Sequence, residues 1–314
     1  MKERGNRDRM VIATKYTTPY RNYDIGPDQP KGTPQTVNYS GNNKRSLYMS
    51  VRDSLKKLQT DYIDLLYLHW WDHTTSIEEI MDSLHILVEQ GKVMYLGISD
   101  TPAWIVSAAN EYARARGKTP ISVYQGRWNI MLRDFEREII PMARHYGMAL
   151  APWDVLGGGK FQTKKQLEER KKNNESLRGM FGNEQSEKEA KISEALEKVA
   201  SQHGDVSITA VALAYVMSKY GYTYPIVGAY FACNHIEDAI ADKRIGGRKV
   251  EHLKDNIKSL SIKLTDKQIQ ELEDASPLDV GFPNNFIGPD PKVNNELSPG
   301  LLASSAQFTF VRSP

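Results

Sequence analysis

Two rhythms of apolar and polar positions alternate along this chain. One is a set of short apolar runs: residues 10–15, the stretch Asp61-Tyr-Ile-Asp-Leu-Leu-Tyr-Leu-His-Trp-Trp-Asp72, then Tyr95-Leu-Gly-Ile-Ser99, residues 121–125, residues 148–153 and Tyr224-Pro-Ile-Val-Gly228. They read as strands, the one over residues 61–72, rich in branched and aromatic side chains, as buried on both faces of a parallel sheet and the one over residues 10–15 as buried. The other rhythm is helical. Leu47, Val51, Leu55 and Leu58 share one helix face. Ser76-Ile-Glu-Glu79 is a capping box opening a helix that buries Ile80, Leu84, Leu87 and Val88 and stops at Gly91. Helices are also predicted over about 103–116 and 134–146. Strand and helix alternate five times, the signature of a parallel sheet wrapped by helices.

After Trp153 the rhythm breaks. Gly157-Gly-Gly159 and the charged stretch to about 185 predict an exposed loop, a lid spanning about 157–187. Helices follow over about 186–203 and 208–220, another begins near Val250, Thr265-Asp-Lys-Gln268 caps one more, and residues 277–314 read as a C-terminal loop. Six strands are two short of a closed (β/α)8 barrel, and no G-x-G-x-x-G follows an early strand as a doubly wound nucleotide fold would want.

Composition narrows the classes. A net charge of +2 gives no electrostatic reason to expect nucleic acid or an anionic membrane as partner. No apolar run is long enough for a transmembrane helix, and the charged N-terminal residues do not form a secretory signal. The single cysteine, Cys233, excludes an internal disulfide framework and a thiolate zinc site, so the expected compartment is the cytoplasm.

Lys15, His69, Ser99, Gln125 and Trp153 stand at the ends of five consecutive predicted strands. Singly, each is as well explained as a rim residue; together they would converge on one barrel mouth, where barrel enzymes place their chemistry. A lysine and a histidine there suit polarisation of a carbonyl, and a tryptophan offers a flat face. Tyr16, Trp70, Trp71 and Trp128 would make that mouth apolar, though they serve equally as packing. No paired carboxylates or metal-spaced histidines occupy the strand ends, which disfavours a barrel hydrolase and a metal site.

These residues resemble the aldo-keto reductases over essentially the whole chain. Asp61-Tyr-Ile-Asp-Leu-Leu-Tyr-Leu-His69 is similar to that superfamily's fourth-strand motif, Val11-Ile-Ala-Thr-Lys15 to its third strand, Leu96-Gly-Ile-Ser99 to its fifth, and Gly247-Arg-Lys-Val-Glu-His-Leu-Lys-Asp-Asn256 to its NADPH-phosphate segment. A closer resemblance, to fungal aryl-alcohol dehydrogenases and norsolorinic-acid-reductase-like enzymes, rests on Leu68-His-Trp-Trp-Asp72, Ala151-Pro-Trp-Asp-Val-Leu-Gly-Gly-Gly-Lys-Phe161 and Asp279-Val-Gly-Phe-Pro-Asn-Asn-Phe-Ile-Gly-Pro-Asp290. The resemblance implies a (β/α)8 barrel over residues 1–314 and NADPH-dependent reduction of aromatic, polyketide- or terpenoid-type carbonyls in fungal secondary metabolism. It matches Lys15 and His69 to the family's catalytic lysine and histidine. It assigns Ser99, Asp100 (in place of the commoner asparagine) and Gln125 to the nicotinamide carboxamide, Trp153 to stacking on the ring, Arg248 to the 2′-phosphate, and Asp255 and Asn256 to adenine.

Two departures qualify that match. The family's aspartate and tyrosine precede the lysine strand, and no residues here correspond to them. The expectation is therefore a barrel lacking its first two strand–helix units, roughly 60 to 70 residues at about 30 each, with little or no activity in this exact chain. Tyr16 is a poor substitute, because neighbours on a strand face opposite ways. Residues 229–246 are also inserted between the last predicted strand and the phosphate segment, either a retained intron or a surface loop. The alternative function is a non-catalytic barrel that binds a nucleotide or a partner.

Overall fold

Five of the six apolar runs become strands of one parallel sheet, ordered as in the chain: β1 (Ala13–Tyr16), β2 (Ile63–Leu68), β3 (Val93–Ser99), β4 (Ile121–Arg127) and β5 (Ala149–Trp153). The structure is a computed structural model describing residues 1–20, 38–173, 184–204, 206–228 and 250–294. Each crossover carries a helix: α1 (Lys44–Leu58), α2 (Ile77–Glu89), α3 (Ala103–Ala115) and α4 (Ile139–Tyr146). Sequential parallel strands joined by helices are the repeating unit of a (β/α)8 barrel. One row of the register runs Lys15, Tyr67, Gly97, Val123, Ala149, and this row organises the site.

Contacts divide the chain into two compact units. The first comprises Met1–Asn129, Pro141–Val155 and Val216–Leu253 and contains the sheet. Its core is the fully buried Ile63, Leu66, Leu68, Leu96, Ile98 and Leu150, each worth about 1.5–3 kcal/mol removed from water. The second comprises Ile130–Ile140, Leu156–Tyr215 and Lys254–Pro314. There α6 (Glu187–Ala200) and α9 (Asp266–Asp274) bury Ile192, Leu196, Val199 and Leu272. Beside them Arg133 bonds both oxygens of Glu136, the Glu273 carboxylate and the Ser276 carbonyl, while the Tyr215 hydroxyl donates to Glu136 and Glu273.

Most element ends follow from the local chemistry. Asn43 caps α1 through Ser46 N–H, and Gln59 closes it in the left-handed region. Ser76 caps α2 as expected, but the box is half made: Glu79 instead accepts from the backbone N–H of Lys44. Both halves of the box form at Ser186/Glu189 and Thr265/Gln268.

Four expectations need correction. The first strand, expected buried from Met10, starts later and is largely exposed before Tyr16: Met10 and Val11 are exposed, Arg7 clamps the preceding turn to Asp64 and the Tyr62 carbonyl, and among the described residues β1 pairs only with β2. The sixth strand is reduced to an isolated bridge between Thr223 and Leu150, although Tyr224 and Ile226 still donate to the carbonyls of Leu150 and Pro152. The helix over 134–146 splits into a 3-10 turn, Asp134–Glu136, and α4, with Pro141 in the first turn where its missing N–H costs nothing. The stretch read as an exposed loop is not all loop. Thr163 and Gln166 form a full capping box for α5 (Lys164–Lys172), and Phe161 and the Lys160–Glu189 ion pair are buried. The helix has no apolar face, so periodicity could not reveal it. The remaining elements are α7 (Ile208–Lys219), α8 (Val250–Lys258), α10 (Asn284–Ile287) and α11 (Pro291–Asn294). The insertion 229–246, part of the lid and residues 295–314 lie outside the described residues. No described helix is long and apolar enough to cross a membrane.

Candidate active site

Lys15 and His69 come from adjacent strands. β1 places Lys15 opposite Tyr67, and His69 follows directly on Leu68, the partner of Tyr16. The His69 backbone N–H donates to the Tyr16 carbonyl at 3.2 Å and to Thr17 Oγ1 at 3.3 Å, which ties the end of β2 to the end of β1. Its ring Nδ1 lies 2.9 Å from Thr18 Oγ1. The Lys15 ammonium stands 5.8 Å from the Tyr67 ring centroid, within cation–π range.

These groups sense one another. Burial lowers the Lys15 pKa, and the Asp100 carboxylate acts in the opposite direction. Burial also lowers His69, the Lys15 cation lowers it further, and Asp100 opposes both. His69 is therefore held toward its neutral imidazole.

Asp100 is the hub of the next two strand ends. It follows β3 with a φ of 43°, a left-handed turn that a short side chain such as aspartate or asparagine tolerates. Its N–H donates to the Gln125 carbonyl at 3.0 Å, the buried Ser99 hydroxyl donates to its carboxylate at 3.1 Å, and Trp153 Nε1 donates at 3.4 Å. Beyond it, the Arg127 guanidinium lies 5.6 Å from the Trp153 ring and binds Asp154 at 2.7 Å. Lys15, His69, Ser99, Asp100, Gln125 and Trp153 thus all stand at the carboxyl ends of consecutive strands in one unit.

Tyr67 belongs to this group and was missed in the sequence. It is 3% exposed, and burial raises its pKa to about 12 while a hydrogen bond with the Gln125 side chain pulls it back. Gly97 makes the room, since a β-carbon there would lie 2.5 Å from the Tyr67 ring. A glycine inside the run Leu96-Gly-Ile98 was the available signal, because glycine within a strand marks close approach of another group.

The expected aromatic mouth is corrected in turn. Tyr16 and Trp128 are core residues at 1% and 0% exposure. The Tyr16 phenol is pushed well up, first by burial and then by Asp72 and Glu79. Trp71 lines an apolar cavity with Leu68, Ile77, Ile80 and Met81. Trp70 alone of the four is exposed, next to His69.

Of the three positions matched to the nucleotide's far end, Arg248 lies outside the described residues. Asp255 is on α8 in the second unit, where Ser207 and Thr209 hydroxyls donate to its carboxylate. Asn256, next to it, accepts the Ser259 hydroxyl at its carbonyl, 2.6 Å away.

Comparison with known proteins decides the lineage. The family model "Aldo/keto reductase family" matches residues 1–242. The chain belongs to the aldo/keto reductase family. A Saccharomyces cerevisiae protein named as a probable aryl-alcohol dehydrogenase is 60% identical over 311 residues, spanning 99% of this chain and 87% of its own length. The norsolorinic acid reductase of Aspergillus flavus is 48% identical over 287 residues, 91% of this chain and 65% of its own. Among solved structures, a thermostable aldo-keto reductase crystallised with the inhibitor epalrestat superposes with a TM-score of 0.59 at 22% identity, covering 87% of this chain and 74% of that one. At that identity it bears on the fold alone, and the fold is the family's barrel type. The aldo-keto reductase resemblance and its fungal branch are thereby confirmed, and with them an oxidoreductase lineage.

Proposed function

We propose that this chain is an NADP(H)-linked oxidoreductase of the cytoplasm that interconverts carbonyls and alcohols on aromatic or polyketide- and terpenoid-type small molecules in fungal secondary metabolism. One observation carries the reading: a neutral-leaning His69 beside the Lys15 cation, at the mouth of a parallel sheet. A neutral imidazole N–H can donate to a carbonyl oxygen, and a cation beside it stabilises the negative charge that develops there.

The donor set at the following strand ends fits the nicotinamide end of NADP. A carboxamide needs a donor and an acceptor; Ser99, Asp100 and Gln125 supply both kinds, and Trp153 supplies a flat face. The chemistry that cofactor supplies when bound is hydride transfer with a carbonyl carbon. His69 would orient the carbonyl, Lys15 would set the local potential, and Asp100, bonded by Ser99 and Trp153, would hold those two side chains in place. We assign Arg248 to the 2′-phosphate and Asp255 and Asn256 to adenine on the family match, and read residues 1–314 as one barrel domain.

The purified chain tests this by NADPH titration followed by addition of an aromatic aldehyde. We expect saturable binding that weakens in Trp153→Ala, and, with no residue matching the family tyrosine, only slow NADPH oxidation that falls further in Lys15→Met and His69→Gln. A chain that folds and shows no saturable NADPH binding sinks the reading.

A second reading, binding without turnover, has its own observation. The two phenols on β1 and β2, Tyr16 and Tyr67, both have raised pKa values, whereas a general acid works best with a pKa near the working pH. Tight NADPH binding with no aldehyde-dependent oxidation would select it.

A further inference from the structure

We propose that Thr18 and Trp70 fix the tautomer of His69, with the Trp70 indole N–H donating to the Thr18 hydroxyl and the Thr18 hydroxyl donating to His69 Nδ1, so that Nε2 carries the imidazole proton. Three side chains in a row carry this. Trp70 Nε1 lies 3.0 Å from Thr18 Oγ1, and Thr18 Oγ1 lies 2.9 Å from His69 Nδ1. An indole nitrogen can only donate, so the first bond has one possible direction. A hydroxyl that accepts such a bond becomes a better donor and a poorer acceptor, because hydrogen bonds in a chain polarise one another. The second bond therefore runs from Thr18 to the ring, and Nδ1 is the acceptor nitrogen. The Lys15 cation beside the ring disfavours the imidazolium in which both nitrogens would donate.

The backbone is shaped to present Thr18. Thr17, directly before Thr18, is fully buried and has a φ of 104°, a strained conformation for a β-branched residue. It is held there by Asn42, whose side-chain amide donates to Thr17 Oγ1 and to the Trp70 carbonyl, both at 3.0 Å. The Asn42 amide oxygen accepts the Asp72 N–H at 2.9 Å, and Asp72 accepts the Asn42 N–H at 2.7 Å. One asparagine thus clasps the segments bearing Thr18 and Trp70 around His69. A strained residue kept by such a clasp, directly before the hydroxyl that meets the imidazole, is the second independent mark of a built feature.

Thr18 and Trp70 are positioning residues, acting on the reaction only through His69. That consequence rests on the proposed function; the tautomer itself does not. Nitrogen-15 NMR of histidine-labelled full chain, with His69 assigned by comparison with His69→Gln, reads it without turnover. We expect Nε2 protonated and Nδ1 bare in the native chain and in Thr18→Ser, and a mixture with protonated Nδ1 in Thr18→Val. Trp70→Phe should shift the mixture in the same direction by less. Where aldehyde reduction is measurable, Thr18→Val should lower kcat more than it changes KM, by up to roughly 100-fold within the range positioned acid–base groups supply. A native chain with protonated Nδ1, or a Thr18→Val variant with unchanged tautomer populations, overturns the proposal, whatever becomes of the NADPH experiment.

Discussion

A β-carbon on Gly97 would stand 2.5 Å from the ring of Tyr67, its cross-strand partner. The absent β-carbon leaves the room in which the ring lies, and the same ring has the Lys15 ammonium 5.8 Å from its centroid, with Gln125 acting to lower a phenol pKa that burial raises.

Gly97→Ala should accordingly destabilise the chain by about 1–3 kcal/mol, the usual cost of overpacking a closed core, and weaken NADPH binding by moving Gln125. Chemical denaturation and NADPH titration measure the two effects. The pair Gly97→Ala/Tyr67→Leu should recover much of the stability, because the clash is specific to the ring; additive losses in that double mutant would place the cost elsewhere.

Arg133→Met in the second unit should cost about 3–5 kcal/mol, the penalty for stripping the cation from a buried ion cluster. Glu136 and Glu273 would lose that cation from their side, while the Tyr215 hydroxyl still donates to both. Burial acts downward on the Arg133 pKa and is outweighed by Glu136, Tyr215 and Glu273, so the guanidinium stays charged. Arg133→Lys should recover only part, since an ammonium cannot make the paired bonds to Glu136. A urea midpoint unchanged in Arg133→Met would refute this account.

Much of this site was legible before the structure. Parallel strands read as unbroken apolar runs, so their ends, and with them Lys15, His69, Ser99, Gln125 and Trp153, could be placed by counting. Asp100 was matched as a binding residue, but its position between Ser99, Gln125 and Trp153 depends on a left-handed turn that no local pattern encodes. Tyr67 hid inside an apolar run as one more strand aromatic, and only the cross-strand register shows that it faces Lys15. The polar helix α5 hid for the opposite reason: helical periodicity is a record of burial, and this helix buries no residue. Trp128 and Tyr16 take the packing alternative, which the sequence left level with a place at the mouth because an aromatic near a strand end looks the same whether it lines a mouth or fills a core.

Removing the charges around His69 should move its pKa in opposite directions. Lys15→Met deletes a cation that lowers it, so the value should rise; Asp100→Asn deletes a carboxylate that raises it, so the value should fall. Burial, the larger cause, remains in both variants, so Lys15→Met should not restore the ordinary value. Proton NMR titration of the imidazole reads both. Movement in the same direction in the two variants would show that His69 responds to packing and not to these charges.

The lowered pKa of His69 also makes a statement about stability. The unfolded chain takes up the proton near the ordinary value of about 6.5, whereas the folded chain keeps the ring neutral to lower pH, first through burial and then through Lys15. In the window between those two values the unfolded state binds more protons, so stability falls as pH falls. The contribution is fully present above about 6.5, is lost on the way down to the folded pKa, and changes no further below it. Asp64 and Asp72, held low by backbone hydrogen bonds against the upward push of burial, lose stability at still lower pH, so the measurement has to be a difference. Denaturation of the native chain and of His69→Gln from pH 8 to pH 5 should give curves that are parallel at the alkaline end, with the native chain losing stability relative to the variant as pH drops below about 6.5. Curves that stay parallel throughout would mean that folding leaves the proton affinity of His69 unchanged.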